Sequence, residues 1–200
     1  VFDKFVTNPA CRLAETIAAF GAEAPAVTLN MQVAGTSAIE KGLLEGHLQA
    51  AIHPFHRASE SLLYWPLFAE QMWLYGAPEH PLLHNGRLPD ETALRTAAFV
   101  GLGYHSPNME HFWRLGLQPA ARAHEQEASV VLIRSGRYLG FLPDHYAQSF
   151  EQAGTLRRIP SDTLQYRCEW GVSVARTPPP GRVARHFTAL LREMHGQPQD

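Results

Sequence analysis

Three polar loops precede predicted helices of this chain. The N-terminal end of a helix is a common site of anion binding. Unpaired backbone N–H groups and the helix dipole favour negative charge there. The loops therefore predict contacts to the carboxylate of a small ligand. The alternative is that their small polar residues only cap the helices, which is the usual role of such side chains. The loop residues are Thr7, Asn8, Thr36, Ser37, Tyr104, His105 and Ser106.

Two more side chains are candidates for the same ligand. Glu127 precedes a predicted helix over 128–134. It could accept a hydrogen bond from a ligand hydroxyl or amine, or simply complement the helix dipole. Phe55 follows a predicted strand and could form an apolar wall of the site or belong to the core. Within the loops, His105 could donate to a carboxylate or respond to pH.

The eleven histidines do not form a known metal-binding signature. The spacings considered are His53 with His56, Glu79 with His80, and His124 with Glu125 and Glu127. A proline lies between the first two histidines, and the sequence contains no H-E-x-x-H motif. We therefore expect neither a metal nor a cofactor.

Motifs for catalysis are missing from the sequence as well. It contains no nucleophile elbow, phosphate-binding loop or C-x-x-C pair, and the glycines at 101 and 103 lack the third glycine of a dinucleotide site. Cys11 and Cys168 are far apart, which favours two reduced packing residues. A hydrolase that uses His105 and Glu127 as acid and base has no motif to support it, so we expect a protein that is not an enzyme.

Composition limits the partners of this segment. Its 200 residues are 45% hydrophobic, enough to bury a core, and the net charge of −2 comes from scattered residues. No basic patch for nucleic acid is visible. The sequence also lacks an apolar stretch of roughly 18 to 20 residues that could cross a bilayer. We expect a cytoplasmic domain without DNA or membrane contacts of its own.

The first part of the chain alternates helical and strand patterns, which predicts parallel strands joined by helices. Strict alternation of apolar residues from Val27 to Val33 predicts a strand with one buried face. The other predicted elements are a helix over 9–20 capped by Asn8, a helix opened by a capping box of Ser37 and Glu40, a strand over 48–52, and strands within 63–75.

The second part repeats this alternation and ends in an amphipathic helix. Val183, Phe187, Leu190 and Met194 lie at helical spacing, so that helix should pack on a lobe. The remaining predicted elements are strands over 98–102, 139–142, 156–159 and 170–175, and helices over 107–115, 128–134 and 144–152.

Several stretches together resemble the effector-binding domains of LysR-type transcription regulators. They are APAVTL at 24–29, GTS at 35–37, LEGHL at 44–48, PLF at 66–68, APEHPL at 77–82 and SGRYLGFLP at 135–143. The ordered set spans nearly the whole chain. Two departures concern the ligand: Gln49 stands where the family usually has Asp, and Arg137 and Tyr138 stand where small residues are common.

The resemblance implies an α/β fold of two Rossmann-like lobes with a ligand cleft between them, like type 2 periplasmic binding proteins. Lobe I would be residues 1–76 plus 165–200, and lobe II residues 77–164. The implied ligand contacts are Thr7, Asn8, Thr36, Ser37, Phe55, Tyr104, His105 and Glu127.

The resemblance also implies partners. The small-molecule effector is expected to be an organic acid. A homodimer would use the helices over 9–20 and 107–115, with a tetramer plausible for the full-length protein. DNA would be bound only through an N-terminal winged helix-turn-helix, to which nothing in these 200 residues corresponds. The alternative function is a solute-binding protein of a transport system.

Overall fold

A computed structural model describes residues 4–55, 59–83, 89–104 and 106–197 of the chain. Its helices are α1 Leu13–Glu23, α2 Thr36–Leu44, α3 Glu91–Arg95, α4 Pro107–Leu115, α5 Gln126–Arg134, α6 Asp144–Gln152 and α7 Arg182–Met194. Its strands are β1 Ala51–Pro54, β2 Leu62–Gly76, β3 Phe99–Leu102, β4 Pro119–Ala123, β5 Leu139–Pro143, β6 Arg157–Ile159 and β7 Gln165–Ala175. The predicted mixed α/β class is confirmed. His56 and His105 lie outside the described residues.

The chain divides into two compact units. Unit 1 contains the described residues of 1–69 and 169–200, and unit 2 those of 70–168. The two long strands, β2 and β7, contribute residues to both units. The lobe limits expected from the sequence, 1–76 with 165–200 and 77–164, stay a prediction.

Unit 1 is built on β1 and β7, which pair antiparallel, and β7 is in turn the neighbour of β2. Helices α1 and α7 pack together, and the rings of Phe20 and Phe187 meet edge to face at 5.2 Å. The backbone N–H of Arg12 donates to Nε2 of His195 at 3.0 Å, which ties the start of α1 to the end of α7. The buried core of this unit includes Ile39, Leu43, Ile52, Trp170, Val172 and Leu191.

Unit 2 has the strand order β2-β5-β3-β4, with β6 paired to β2. Strand β3 runs parallel to both β4 and β5, whereas β2 pairs antiparallel with β5 and β6. An aromatic cluster holds α4 on these strands, because the ring of Phe112 meets those of Phe99 and Phe141 edge to face, each at 5.7 Å.

The helix predicted over 107–115 is confirmed with the same limits as α4. Its signals are all local: the Ser106 side chain caps it, Pro107 occupies the first turn, and Gly116 ends it with a φ of 68°. A left-handed residue after the last turn is typical of glycine. The predicted helix over 144–152 is likewise confirmed as α6.

The strand predicted from Val27 to Val33 is wrong. The described residues form no strand there, and the side chains of Leu29, Met31 and Val33 are exposed. An alternating pattern becomes a strand only when a neighbour accepts its backbone hydrogen bonds, and the pattern alone does not supply that neighbour. The predicted parallel pairing of this part of the chain is also wrong, because β1 pairs antiparallel with β7.

The predicted starts of the first two helices need correction. Asn8 does not cap α1, which begins at Leu13; its Oδ1 accepts instead from the N–H of Ala10 at 2.9 Å. Such local side-chain bonds compete with helix formation. Helix α2 begins at Thr36 after Gly35 and has no side-chain cap, so the capping box is not formed.

Strand β7 passes so close to β2 that residue 171 has no room for a side chain. A Cβ on Gly171 would overlap the carbonyl oxygen of Trp65 and the ring of Tyr64. We expect Gly171→Ala to lower the free energy of unfolding by about 3 kcal/mol through overpacking, measured by urea unfolding.

Gly21→Ala is the matched control for this substitution. An added Cβ there meets nothing within 4 Å, and the residue lies inside α1. This variant should gain roughly 0.5 to 1 kcal/mol, because glycine weakens a helix. Equal effects of the two substitutions would contradict the close approach of β2 and β7.

Candidate functional site

The start of α2 in unit 1 presents a buried hydroxyl. Thr36 is the first residue of this nine-residue helix, and its Oγ1 is buried without a hydrogen-bond partner among the described residues. Ser37, the other predicted contact in this loop, is exposed. The unmet hydroxyl lies beside the free backbone N–H groups of the first helical turn, an arrangement that suits a ligand acceptor.

Thr7 and Asn8 lie in and just after a short 3-10 turn, and both side chains bond locally. The Oγ1 of Thr7 donates to the carbonyl of Lys4 at 3.0 Å, and Thr7 is exposed. Asn8 is buried and accepts from Ala10. These local hydrogen bonds stabilise the turn. The ligand contacts predicted for Thr7 and Asn8 stay a prediction.

Phe55 lies at the end of β1 and is 40% exposed. Its ring packs on Tyr64 at 4.5 Å, and its N–H donates to the carbonyl of Glu169 at 2.9 Å. Helix α2 packs against β1 and is joined to it by residues 45–50. Thr36 and Phe55 therefore flank two neighbouring elements of unit 1, Thr36 at the start of α2 and Phe55 directly after β1.

The loops after β3 and β4 meet at one edge of unit 2. The N–H of Gly103 donates to the carbonyl of Ala123 at 2.7 Å. Ser106 is buried and accepts from the N–H of Met109 at 3.3 Å, which is the capping role. Tyr104 is half-buried in the first of these loops. Its neighbour His105, a predicted contact, lies outside the described residues.

Asn108 fixes this edge from the first turn of α4. Its Oδ1 accepts from the N–H of Leu102 at 3.0 Å, and its Nδ2 donates to the hydroxyl of Tyr166 at 3.3 Å. The buried amide of Asn108 thus links the start of α4 to the end of β3 and to β7. Burial raises the pKa of the Tyr166 hydroxyl well above its ordinary value.

At the start of α5 the sequence indicated Glu127, but the buried side chain is that of Gln126. Glu127 is exposed in the first turn of the helix. Gln126 is buried, and its Oε1 has no hydrogen-bond partner among the described residues. The sequence missed it because no local pattern shows which of two adjacent side chains at a helix start is buried. An unmet carbonyl oxygen suits a ligand hydroxyl or amine.

The described residues offer no metal site: no three His, Cys, Asp or Glu side chains within them are arranged to hold an ion. The same residues contain no helix that is both long and apolar enough to cross a membrane. Both cysteines are free, Cys168 being buried and Cys11 partly so.

The comparison with protein families is decisive. A model described as the LysR substrate binding domain matches residues 6–196. The chain belongs to this LysR family. Its fold is therefore that of the effector-binding domains of LysR-type regulators, which resemble type 2 periplasmic binding proteins, and the family is one of transcription regulators rather than enzymes.

Known LysR-type proteins agree with this placement. The chain is 28% identical over 189 residues to the HTH-type transcriptional activator BauR of Pseudomonas aeruginosa, covering 94% of this chain and 62% of that protein. The chain thus covers less than two thirds of the length of BauR.

Two solved LysR domains share the fold. One is the regulatory domain of CcmR from Synechocystis PCC6803, solved in complex with 2-PG. It is 17% identical in sequence and superposes with a TM-score of 0.74, and the alignment covers 92% of this chain and 90% of the CcmR chain. The effector-binding domain of QuiR, solved in complex with shikimate, has a TM-score of 0.76 at 13% identity, with coverage of 95% and 93%.

Histidines with lowered pKa values make the free energy of unfolding of this LysR domain depend on pH. Burial, aided by the neighbouring Arg114, lowers the pKa of His111 to about 4. Burial also lowers the pKa values of His80 and His195. The unfolded chain then binds more protons below the ordinary histidine pKa of about 6.5, so the free energy of unfolding should fall between pH 7 and pH 4. His111 alone accounts for about 3 kcal/mol of that fall.

His111→Leu isolates this contribution. The variant cannot titrate at this position, so its unfolding free energy, measured by urea unfolding at several pH values, should decrease less from pH 7 to pH 4. Parallel pH profiles of the two proteins would show that His111 is not held neutral by burial.

Proposed function

We propose that this LysR domain senses a small organic acid and that the whole protein regulates transcription in response. The relative BauR is a transcriptional activator, and the QuiR domain was solved with shikimate, a carboxylate. DNA would be bound by a helix-turn-helix segment outside these 200 residues. A regulator must reach the chromosome, so its place of action would be the cytoplasm.

The observation that carries the ligand class is the hydroxyl of Thr36. A buried hydroxyl without a partner destabilises the ligand-free domain by about 1 to 3 kcal/mol. A carboxylate at the start of α2 would accept from this hydroxyl and from the free backbone N–H groups, and it would gain from the helix dipole. Ligand binding would thus give the Thr36 hydroxyl the hydrogen bond that it lacks in the ligand-free domain.

Further side chains are proposed as ligand contacts. Gln126 would meet a hydroxyl or amine of the ligand through its unpartnered Oε1, and Phe55 would contact its apolar part. The remaining contacts stay as the sequence predicted them: Thr7, Asn8, Ser37, Tyr104, His105 and Glu127. The alternative, a solute-binding protein of a transport system, is less well supported because the family match is to regulators.

Thr36→Val tests the carboxylate contact, because it replaces the hydroxyl by a methyl group of similar size. We expect ten- to a hundredfold weaker carboxylate binding, since a hydrogen bond to a charged acceptor contributes about 1.5 to 3 kcal/mol. The ligand-free variant should be at least as stable as the wild type, because the unmet buried hydroxyl is gone. Thermal shifts with a panel of shikimate, benzoate and succinate, followed by titration calorimetry, measure both effects.

Thr92→Val is the control, because Thr92 is exposed in the first turn of α3. It should change neither affinity nor stability by more than about 0.5 kcal/mol. Unchanged affinity in Thr36→Val would remove this contact from the proposal. A wild type that binds no carboxylate of the panel would contradict the proposed ligand class itself.

We further propose that the domain forms a homodimer through α1 and α4, the helices predicted over 9–20 and 107–115. A two-fold arrangement places the same patches of both copies in contact. On α4 the side chain of Trp113 is 56% exposed, which is unusual for tryptophan in a monomer. Trp113→Glu should therefore shift sedimentation toward the monomer at tens of micromolar. Val183→Glu, at an exposed position of α7, is the control, and a wild-type monomer would contradict the proposal.

A further inference from the structure

Residues 27–33 of unit 1 carry an apolar face that the described chain leaves exposed. The side chains of Leu29, Met31 and Val33 are 45%, 62% and 54% exposed, and polar residues stand between them. Such alternation matches the two faces of a strand that is buried on one side. The described residues nevertheless form no strand there. The stretch thus has the side-chain pattern of a strand without belonging to the sheet.

Strand β1 is paired along one edge only among the described strands. It stands at the end of the strand order, with β7 as its neighbour. All four of its side chains are buried. A strand that is covered on both faces usually lies inside a sheet rather than at its margin. The burial of β1 therefore favours a further strand along its other edge.

Residues 27–33 do not occupy that place themselves. They are followed by α2, which packs against β1, and then by β1. An extended segment, a helix and a strand in this order place the two extended segments parallel in one sheet, either side by side or with another strand between them. Both segments are described, and they do not pair. A strand between them is therefore the arrangement that gives each of them a neighbour.

The first described residues lie near the carboxyl end of β1. Phe5 is buried, and its ring meets that of Trp170 edge to face at 4.9 Å. Trp170 lies opposite Pro54, the last residue of β1. A strand that ends a few residues ahead of Phe5 would therefore finish beside the last residue of β1 and run parallel to it. Such a strand would lead into α1 and then into residues 27–33, which repeats the order of strand, helix and strand.

We propose that the protein's own chain ahead of residue 1 supplies a strand that lies between β1 and residues 27–33, parallel to both. Pairing with this strand would hold residues 27–33 in the sheet and turn Leu29, Met31 and Val33 into its buried side. Backbone hydrogen bonds and apolar burial would stabilise unit 1 together. The inference does not depend on the ligand.

Two observations favour the preceding chain over a second copy of the domain. The alignment with BauR leaves more than a third of that relative outside it, which is ample length for a strand. A segment joined to Phe5 through a few residues is also present at an effective concentration of roughly millimolar or above, so it outcompetes a second copy.

Hydrogen exchange followed by mass spectrometry tests the pairing on the unmodified sequence. We compare the full-length protein, the 200-residue domain, and the domain extended by about ten native residues ahead of residue 1, enough for one strand. Amides of residues 27–33 should exchange roughly a hundredfold more slowly in the two longer proteins, because sheet pairing protects them.

Three results would overturn the inference. The first is equal exchange of residues 27–33 in all three proteins. The second is protection in the full-length protein but not in the extended domain, which would assign the cover to another part of the protein. The third is protection of the 200-residue domain that grows with its concentration to the level of the longer proteins, which would assign the cover to a second copy.

Met31→Lys gives a second readout. Residue 31 is exposed in the 200-residue domain, so the thermal midpoint of this variant should stay within about 1 °C of the wild type. In the full-length protein the lysine would lie on the buried face, and the midpoint of the domain should fall by at least about 5 °C.

Asn30→Lys is the matched control, because residue 30 is adjacent and belongs to the polar face of the pattern. It should leave the midpoints of both proteins unchanged. Equal effects of Met31→Lys in the 200-residue domain and in the full-length protein would show that the longer chain does not cover this face, and the inference would fail.

Discussion

The close pairing of β2 and β7 is the constraint on which the other strands depend. Strand β1 is held by β7, both β5 and β6 are held by β2, and β3 and β4 follow from β5. At Gly171 the approach leaves no room for a side chain. The same strands carry residues into both units, so each unit obtains its central hydrogen-bonded strands from one pair of segments. None of the helices in the described part of the chain contributes residues to both units.

Both units present polar groups by the same physical route. In each unit a helix begins with N–H groups that have no partner within the helix. Thr36 and Gln126 are each the first residue of such a helix, and each has a buried oxygen without a described partner. The hydroxyl of Thr36 can donate or accept a hydrogen bond, whereas the amide oxygen of Gln126 can only accept one.

The sequence predicted the limits of α4 correctly, because the structure uses the local signals at both of its ends. Ser106, Pro107 and Gly116 mark both ends of α4 within eleven positions, so its limits were right. The strand at 27–33 failed because its formation depends on a distant neighbour. In the site, burial was the missing information: Gln126 and Glu127 are adjacent in sequence, yet one is buried and the other exposed. Outside the site, the buried hydrogen bond between His53 and Ser173 joins residues 120 positions apart, and no local pattern encodes it.

The segment at 27–33 also bears on how this domain behaves in concentrated solution. Between Glu23 and Lys41 the sole charged residue is Glu40, so residues 24–39 have no charge to repel another copy. An exposed stretch with the alternating apolar residues Leu29, Met31 and Val33 favours intermolecular β-sheet. Natural proteins place charges at such stretches as gatekeepers. Residues 24–39 contain no such charge, so we expect this stretch to be a place where copies of the isolated domain associate in concentrated solution.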